Sequence, residues 1–254
     1  MTAATGFDWH ELQTRDCARA LRFYQAFCGW TTADASAGSP RERHLCSLDG
    51  AAIGAVTISQ APPHLPAFWL PFLVVADVDG VVERARALNA RVLREPAAVP
   101  GAGCLAVLID PRGAMFGLRE GGAAGSPSAS VAGAPNRGAF SRDELLTDDA
   151  EASAAFYAAL TGGSIEPLDL GPLGIYRFVV SEGRRIAGVM KHPENVHPHW
   201  LPYFAVSDVD ADTRRAVELG ASLYFPPRDI PGVGRLSGID DPTGAGVCLF
   251  HGSL

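Results

Sequence analysis

The residues with the strongest claim to chemistry are two glutamates, Glu11 and Glu144, which stand in matching contexts, Glu-Leu-x-Thr-x-Asp, on segments that read as strands. Side chains alternate faces along a strand, so Glu11 shares a face with Trp9, while His10 and Leu12 point the other way. A carboxylate on an apolar face has a raised pKa and can act as a general base or accept hydrogen bonds from a polar ligand. The structural reading stands beside it: each Glu accepts bonds from neighbouring backbone or from an arginine. His10 is one position out of register with Glu11, and a slip of one reverses the face. Arg142 takes the place of Trp9 in the second context. His44 and Arg177 are a second matched pair on a predicted third strand, set to line a ligand wall. Trp69 and Trp200 open matching strands, where an aromatic either packs or stacks on a flat ligand. Arg235 follows Pro231-Gly232-Val233-Gly234 and can pair with an anionic ligand. His192, His197 and His199 cluster in a Pro-broken loop, and His-x-His spacing binds metal only when held rigidly.

Those matches belong to a longer repeat. Phe7, Glu11, Leu12, Thr14, Asp16, Phe23, Tyr24 and Gly29 return 133 positions later as Phe140, Glu144, Leu145, Thr147, Asp149, Phe156, Tyr157 and Gly162. Trp69, Leu70, Pro71, Asp77, Val78, Asp79, Asp110, Pro111 and Gly113 return 131 positions later as Trp200, Leu201, Pro202, Asp208, Val209, Asp210, Asp241, Pro242 and Gly244. A spacing this long rules out a solenoid. It predicts two domains, 1–121 and 139–254, joined by a Gly/Ala/Ser/Pro-rich linker over 122–138. Each is large enough to bury a core.

A net charge of −7, with no run of Lys and Arg, leaves no electrostatic footprint for nucleic acid. No apolar stretch reaches membrane-spanning length and the N-terminus lacks a signal-peptide pattern, so the expected setting is cytoplasmic, without membrane association. The five cysteines, Cys17, Cys28, Cys46, Cys104 and Cys248, are odd in number and lack CxxC spacing, which points to free thiols.

Each copy reads as two β-α-β-β-β units. Phe7 to Thr14 is a strand; Asp16 caps a helix whose apolar stripe is Ala20, Phe23, Tyr24 and Phe27, and Gly29 stops it. Strands over 42–48 and 52–59 meet at Asp49-Gly50, a hairpin dipeptide. Trp69 to Val75 is a strand, Asp77 opens a helix with Val81, Val82, Ala85 and Leu88 on one face, and a strand begins at Arg91–Leu93. Strands near 104–109 and 114–119 flank the turn Asp110-Pro111-Arg112-Gly113.

Paired β-α-β-β-β units with Phe-Tyr on the first helix, Asp-Val-Asp at the second and Asp-Pro-x-Gly before the last strand resemble the vicinal oxygen chelate superfamily of glyoxalases, extradiol dioxygenases and bleomycin resistance proteins. Trp9-x-Glu11-Leu12-x-Thr14-x-Asp16, Ile186-Ala187-Gly188-Val189-Met190 and Trp200-Leu201-Pro202-Tyr203-Phe204 are similar to its tandem glyoxalase-like subgroup. The resemblance implies an α+β fold of tandem domains, each with two paired βαβββ units forming a cup-shaped mixed β-sheet. In metal-dependent members the cup holds a divalent ion on His, Gln or Glu. Aligned residue by residue, the ligand positions fall on Trp9, Arg142, Leu70, Leu201, Gly117 and Cys248, of which only the thiol can coordinate.

The resemblance therefore implies a protein that binds a small organic molecule in one or both cups without the usual metal tetrad. No cofactor is expected, Glu11 and Glu144 are the candidate catalytic groups, and Trp9, His44, Trp69, Arg142, Arg177, Trp200 and Arg235 line the ligand. The alternative is a lyase, isomerase or dioxygenase using Zn, Ni, Fe or Mn on unusual ligands, His10, Glu11 or Glu120. A third reading gives the duplicated domain a role in assembly. Monomer and homodimer both remain open.

Overall fold

The computed structural model describes residues 4–37, 41–62, 64–99, 102–121, 138–192 and 196–252. Among the described residues sixteen strands and four α-helices follow one another in the predicted order. The first copy contains β1 (Ala4–Thr14), α1 (Cys17–Cys28), β2 (Thr31–Asp34), β3 (Arg43–Leu48), β4 (Ala51–Ile58), β5 (Phe68–Val75), α2 (Val78–Ala87), β6 (Arg91–Val99), β7 (Gly103–Ile109) and β8 (Met115–Glu120). The second contains β9 (Phe140–Thr147), α3 (Ala150–Thr161), β10 (Ser164–Asp169), β11 (Ile175–Ser181), β12 (Arg184–Lys191), β13 (His199–Ala205), α4 (Val209–Glu218), β14 (Ser222–Ile230), β15 (Gly234–Asp240) and β16 (Gly246–Gly252). The predicted linker, apart from Gly138, lies outside the described residues. Among the described residues no helix is long and apolar enough to cross a membrane.

Each copy supplies one mixed eight-stranded sheet, ordered β2, β3, β4, β1, β5, β8, β7, β6 in the first and β10, β11, β12, β9, β13, β16, β15, β14 in the second. The registers carry the sequence offsets into three dimensions. Glu11 pairs with Ala55 and Glu144 with Gly188, both shifted by 133, while Phe72 pairs with Gly117 and Tyr203 with Cys248, both shifted by 131. Local chemistry sets the element ends. Asp16, Asp77, Asp149 and Asp208 each cap a helix by accepting from the backbone N–H three residues on, which satisfies a donor the helix leaves free. Gly29 and Gly162 close α1 and α3 in the left-handed conformation. Asp49-Gly50 turns the β3–β4 hairpin with both residues at positive φ, and Glu182-Gly183 repeats it in the second copy.

Two strands exceed the prediction. β2 is short and exposed, without the apolar alternation that marks a strand. β6 runs on through Pro96 to Val99, with register shifts against β7, and ends its sheet. A proline that cannot donate to the ladder is tolerated on such an edge, so it breaks the sequence pattern without breaking the strand.

The sheets follow the copies, but the cores do not. The chain packs into two compact units, and each takes half of one copy and half of the other. In one unit α1 and α4 pack with β2–β4 and β14–β16 around Tyr24, Phe27, Trp30, Phe204 and Leu249. In the other, α2 and α3 pack with β6–β8 and β10–β12 around Phe116, Tyr157, Leu145, Val189 and Trp200. The boundary passes within β1, β5, β9 and β13. Folding was expected within 1–121 and 139–254; the sheets obey that division, and the helix-facing cores are shared between copies.

One hydrogen bond recurs in both cores. The Tyr24 hydroxyl donates to Asp241 Oδ2 at 2.9 Å in one unit, and Tyr157 donates to Asp110 Oδ2 at 3.1 Å in the other. The second oxygen of each Asp holds its turn: Asp110 Oδ1 accepts from the backbone of Arg112, Gly113 and Ala114, and Asp241 Oδ1 from the backbone of Thr243 and Ala245. Burial holds both phenols well above their usual pKa, so they remain donors. A hydrogen bond to a charged group contributes about 1.5–3 kcal/mol, and an abandoned buried carboxylate oxygen costs its desolvation. Tyr24→Phe and Tyr157→Phe should each lower stability by about 2 kcal/mol in urea unfolding with the slope unchanged. Loss of less than about 0.5 kcal/mol would show the bond to be dispensable.

Candidate functional site

Three neighbouring strands of the first copy build the wall that Glu11 occupies. β1 lies parallel to β4, pairing Glu11 with Ala55 and Gln13 with Thr57. β3 lies antiparallel to β4 on its other side, pairing Arg43 with Thr57 and Leu45 with Ala55. Directly paired residues project to one side, so Glu11, Gln13, Arg43 and Thr57 share a face with Leu45 and Ala55. Leu12, Cys46 and Val56 point to the other side, into the core around α1.

Arg43 reaches across β4 to Glu11, with Nη2 2.8 Å from Oε1. The two residues are 4% and 6% exposed. Desolvating both charges costs several kcal/mol, which their attraction offsets only with good geometry; removing one partner alone is worse. Thr57 is 5% exposed, and its hydroxyl has no hydrogen-bond partner among the described residues. Gln13 is buried beside it.

The second copy repeats the strands with different side chains. Glu144 pairs with Gly188 and is buried. The offset puts Tyr176 where Arg43 stands, Gly188 for Ala55, Leu146 for Gln13 and Met190 for Thr57. The Tyr176 hydroxyl lies only 1.7 Å from the point a Cβ at Gly188 would occupy, so the phenol requires glycine beneath it. Tyr176 is the counterpart that sequence reasoning missed, as was Arg43. Neither could be chosen over its strand neighbour without the phase of β3 and β11.

That phase corrects two expectations. His44 lies on the face opposite Arg43 and pairs at the edge with Glu42, 3.0 Å away. Arg177 likewise turns to the helix side, 3.6 Å from Glu151 of α3. Trp69 and Trp200 also belong to helix-facing cores and not to a ligand wall: the Trp69 indole donates to Tyr24 Oη at 3.3 Å, and Trp200 packs edge-on to Tyr157 at 5.2 Å. Arg235 is committed to Asp210 through two bonds of 2.6 and 2.9 Å and to Asp229 at 3.0 Å, which hold Asp210 below the usual carboxylate range. With both acids on it, the guanidinium does not present a free cation to an anion.

At the positions where the resemblance implies metal ligands, Cys248 is the one side chain with ligand chemistry. Trp9 is buried beneath the Arg119 guanidinium, 5.0 Å from its ring centre. Leu70 and Leu201 are buried aliphatic chains. Gly117 lies under the Phe72 ring, whose nearest atom is 2.1 Å from where a Cβ would sit. Cys248 is fully buried. Arg142, the third residue of β9, lies on the Glu144 face, half-buried. Of the alternative ligands, His10 is stacked on Phe140 at 3.8 Å on the helix side, opposite Glu11, so the two cannot converge on one ion. Glu120 is exposed at the end of β8. Among the described residues no group of three or more His, Cys, Asp or Glu could hold a metal. Burial pushes the Cys46 thiol up to about 12 and Cys17, with Glu42 beside it, to about 11, which keeps both protonated at neutral pH. At the start of β13, His199 Nδ1 donates to the His197 carbonyl, 2.8 Å away, and its ring lies 5.7 Å from that of His192.

The glyoxalase-like domain pattern matches residues 9–119 and again 142–250. A protein named "Putative glyoxylase CFP32" from Mycobacterium bovis is 31% identical over 242 residues, covering 94% of this chain and 91% of its own. The anthracycline biosynthesis protein DnrV of Streptomyces peucetius is 35% identical over 259 residues, covering 96% and 92%. Among solved structures, a Mn(II)-bound glyoxalase from Novosphingobium aromaticivorans superposes with a TM-score of 0.70 at 17% identity, over 98% of this chain and 83% of its own, a likeness of fold.

Glu11→Ala, which strands Arg43 in a buried wall, should cost about 3–5 kcal/mol. Adding Arg43→Tyr with Ala55→Gly, which removes the stranded guanidinium and supplies the second copy's Tyr–Gly pair, should restore most of it, as measured by urea unfolding of the single and triple variants. Burial first, then the neighbouring His192 and His197, hold His199 below its usual 6.5. A depressed base favours folding above 6.5 and loses that contribution as pH falls through its folded value. Stability should therefore decline below pH 6.5, and His199→Gln should flatten the decline in thermal melts.

Proposed function

This chain belongs to the glyoxalase-like domain family of the vicinal oxygen chelate superfamily, and on that footing we propose that it binds a small organic molecule by side-chain hydrogen bonds, without the divalent-metal tetrad. The observation that carries the reading is the Glu11–Arg43 ion pair at 2.8 Å. Glu11 stands two residues from Trp9 along β1, and its carboxylate is already paired with a guanidinium. A second cation there would compete with Arg43 at close range in a desolvated wall, where like charges repel strongly. The other positions offer an indole, aliphatic chains, a glycine and a buried thiol in place of imidazole and carboxylate.

The wall suits recognition more than acid–base turnover. The Glu11 carboxylate is already engaged by the Arg43 guanidinium, so a ligand meets the pair and not a lone base. What remains is a polar row inside an apolar surround, the composition of small-molecule sites generally. The relatives' names, glyoxylase and anthracycline biosynthesis protein, both concern small organic compounds. A ligand that binds only the folded state would raise the melting temperature as its concentration passes Kd.

Purified protein dialysed against a chelator should contain no stoichiometric Zn, Ni, Fe or Mn, and a thermal-shift screen of aldehydes, aromatic acids and antibiotics should give the same hits before and after dialysis. Stoichiometric metal that survives dialysis and disappears in Glu11→Ala would overturn the proposal in favour of a metal-dependent enzyme. An absence of any hit would overturn it in favour of an assembly role.

A further inference from the structure

We infer that the polar row Gln13, Arg43 and Thr57 of the first copy selects a neutral molecule through a carbonyl or hydroxyl oxygen, and that the second copy lacks this specificity. The inference rests on the small-molecule reading above and adds which copy recognises the ligand's polar group, and by which residues. Its starting point is the offset of 133, which the strand registers reproduce. Any residue the fold needs at a position should be tolerated at its partner position. At the corresponding positions Gln13, Arg43 and Thr57 are replaced by Leu146, Tyr176 and Met190, so the same three strands form without this polar row.

The row is costly where it stands. Thr57 buries a hydroxyl that has no partner among the described residues, although an apolar side chain serves at the corresponding position. Buried polar groups left unmatched by the protein are where a ligand atom can complete the set. The hydroxyl donates and accepts, as does the Gln13 amide one strand away, so both suit an uncharged oxygen. Glu11 and Arg43 cancel each other's charge, which removes the attraction an ionic group would need. Leu45 and Ala55 make the rest of the face apolar, fitting a hydrocarbon body behind that oxygen. A site built to hydrogen-bond a substrate discriminates strongly against an analogue without the bonding atom.

The test pairs 2-acetylnaphthalene with 2-ethylnaphthalene, which differ in one carbonyl oxygen, against wild type, Thr57→Val, Gln13→Leu and Met190→Thr. Fluorescence titration should show the ketone binding wild type about tenfold or more tighter than the hydrocarbon. Thr57→Val and Gln13→Leu should abolish that preference, and Met190→Thr should leave it intact. In the absence of probe, Thr57→Val should melt at or above the wild-type temperature, since it removes an unmatched hydroxyl. Four results would overturn the inference: no binding of either probe, equal binding of both, a preference that survives both first-copy substitutions, or a Thr57→Val protein that melts several degrees lower. Any of these alongside hits in the general screen leaves the small-molecule reading standing; a blank screen removes both.

Discussion

The rest of the structure depends on a buried tyrosine hydroxyl meeting a buried aspartate, once in each compact unit. Tyr24 comes from a helix of the first copy and Asp241 from a turn of the second; Tyr157 and Asp110 reverse the roles. Each Asp uses one oxygen to hold its own Asp-Pro-x-Gly turn and the other to receive the phenol. A half-copy has one helix and too little apolar area to close a core alone, so it must find another half-copy. The bond ties the two halves of each unit together, the turn of one presenting its carboxylate to the tyrosine of the other. Both members of the motif are present in both copies for that reason: losing Tyr from one copy harms the unit that holds the other copy's Asp.

With the tyrosine–aspartate bonds kept in both units, several divergent pairs lie on the face opposite the helices. Trp9 against Arg142, Gln13 against Leu146, Arg43 against Tyr176 and Thr57 against Met190 all lie there. The substitutions come in compensating sets. Arg43 crosses above Ala55 to reach Glu11, whereas Tyr176 needs the bare backbone of Gly188. The glycine in Ile186-Ala187-Gly188-Val189-Met190 is thus explained by a side chain on the next strand. The same logic gives Gly117 its place under Phe72.

Much of the site was within reach of strand alternation, and the errors came where its phase was unknown. Glu11 and Trp9 were placed on one face because β1 is a long, clean strand. Trp69 and Trp200 were assigned to the ligand although each neighbours a leucine on the face of the usual metal positions, which by alternation sends the indole to the core. His44 and Arg177 alternate with Arg43 and Tyr176, and without the phase of β3 and β11 nothing local says which of each pair shares a face with the glutamate. Arg235 looked available because its partners Asp210 and Asp229 lie 25 and 6 residues away, one on α4 and one on β14.

The sequence by itself determined the duplication, the order of elements, the caps and turns, and the absence of the usual metal-binding side chains from their expected positions. These are local or periodic properties: a repeat offset, an apolar stripe, an Asp before a helix, a residue type at an aligned site. Tertiary structure alone decided that the cores are exchanged between copies, that Glu11 is spent on Arg43, and that a threonine hydroxyl is buried without a partner among the described residues. Such facts depend on which strands lie side by side and which face each presents. Pairing is a long-range choice made by the summed burial of many side chains, and no single stretch of sequence carries it.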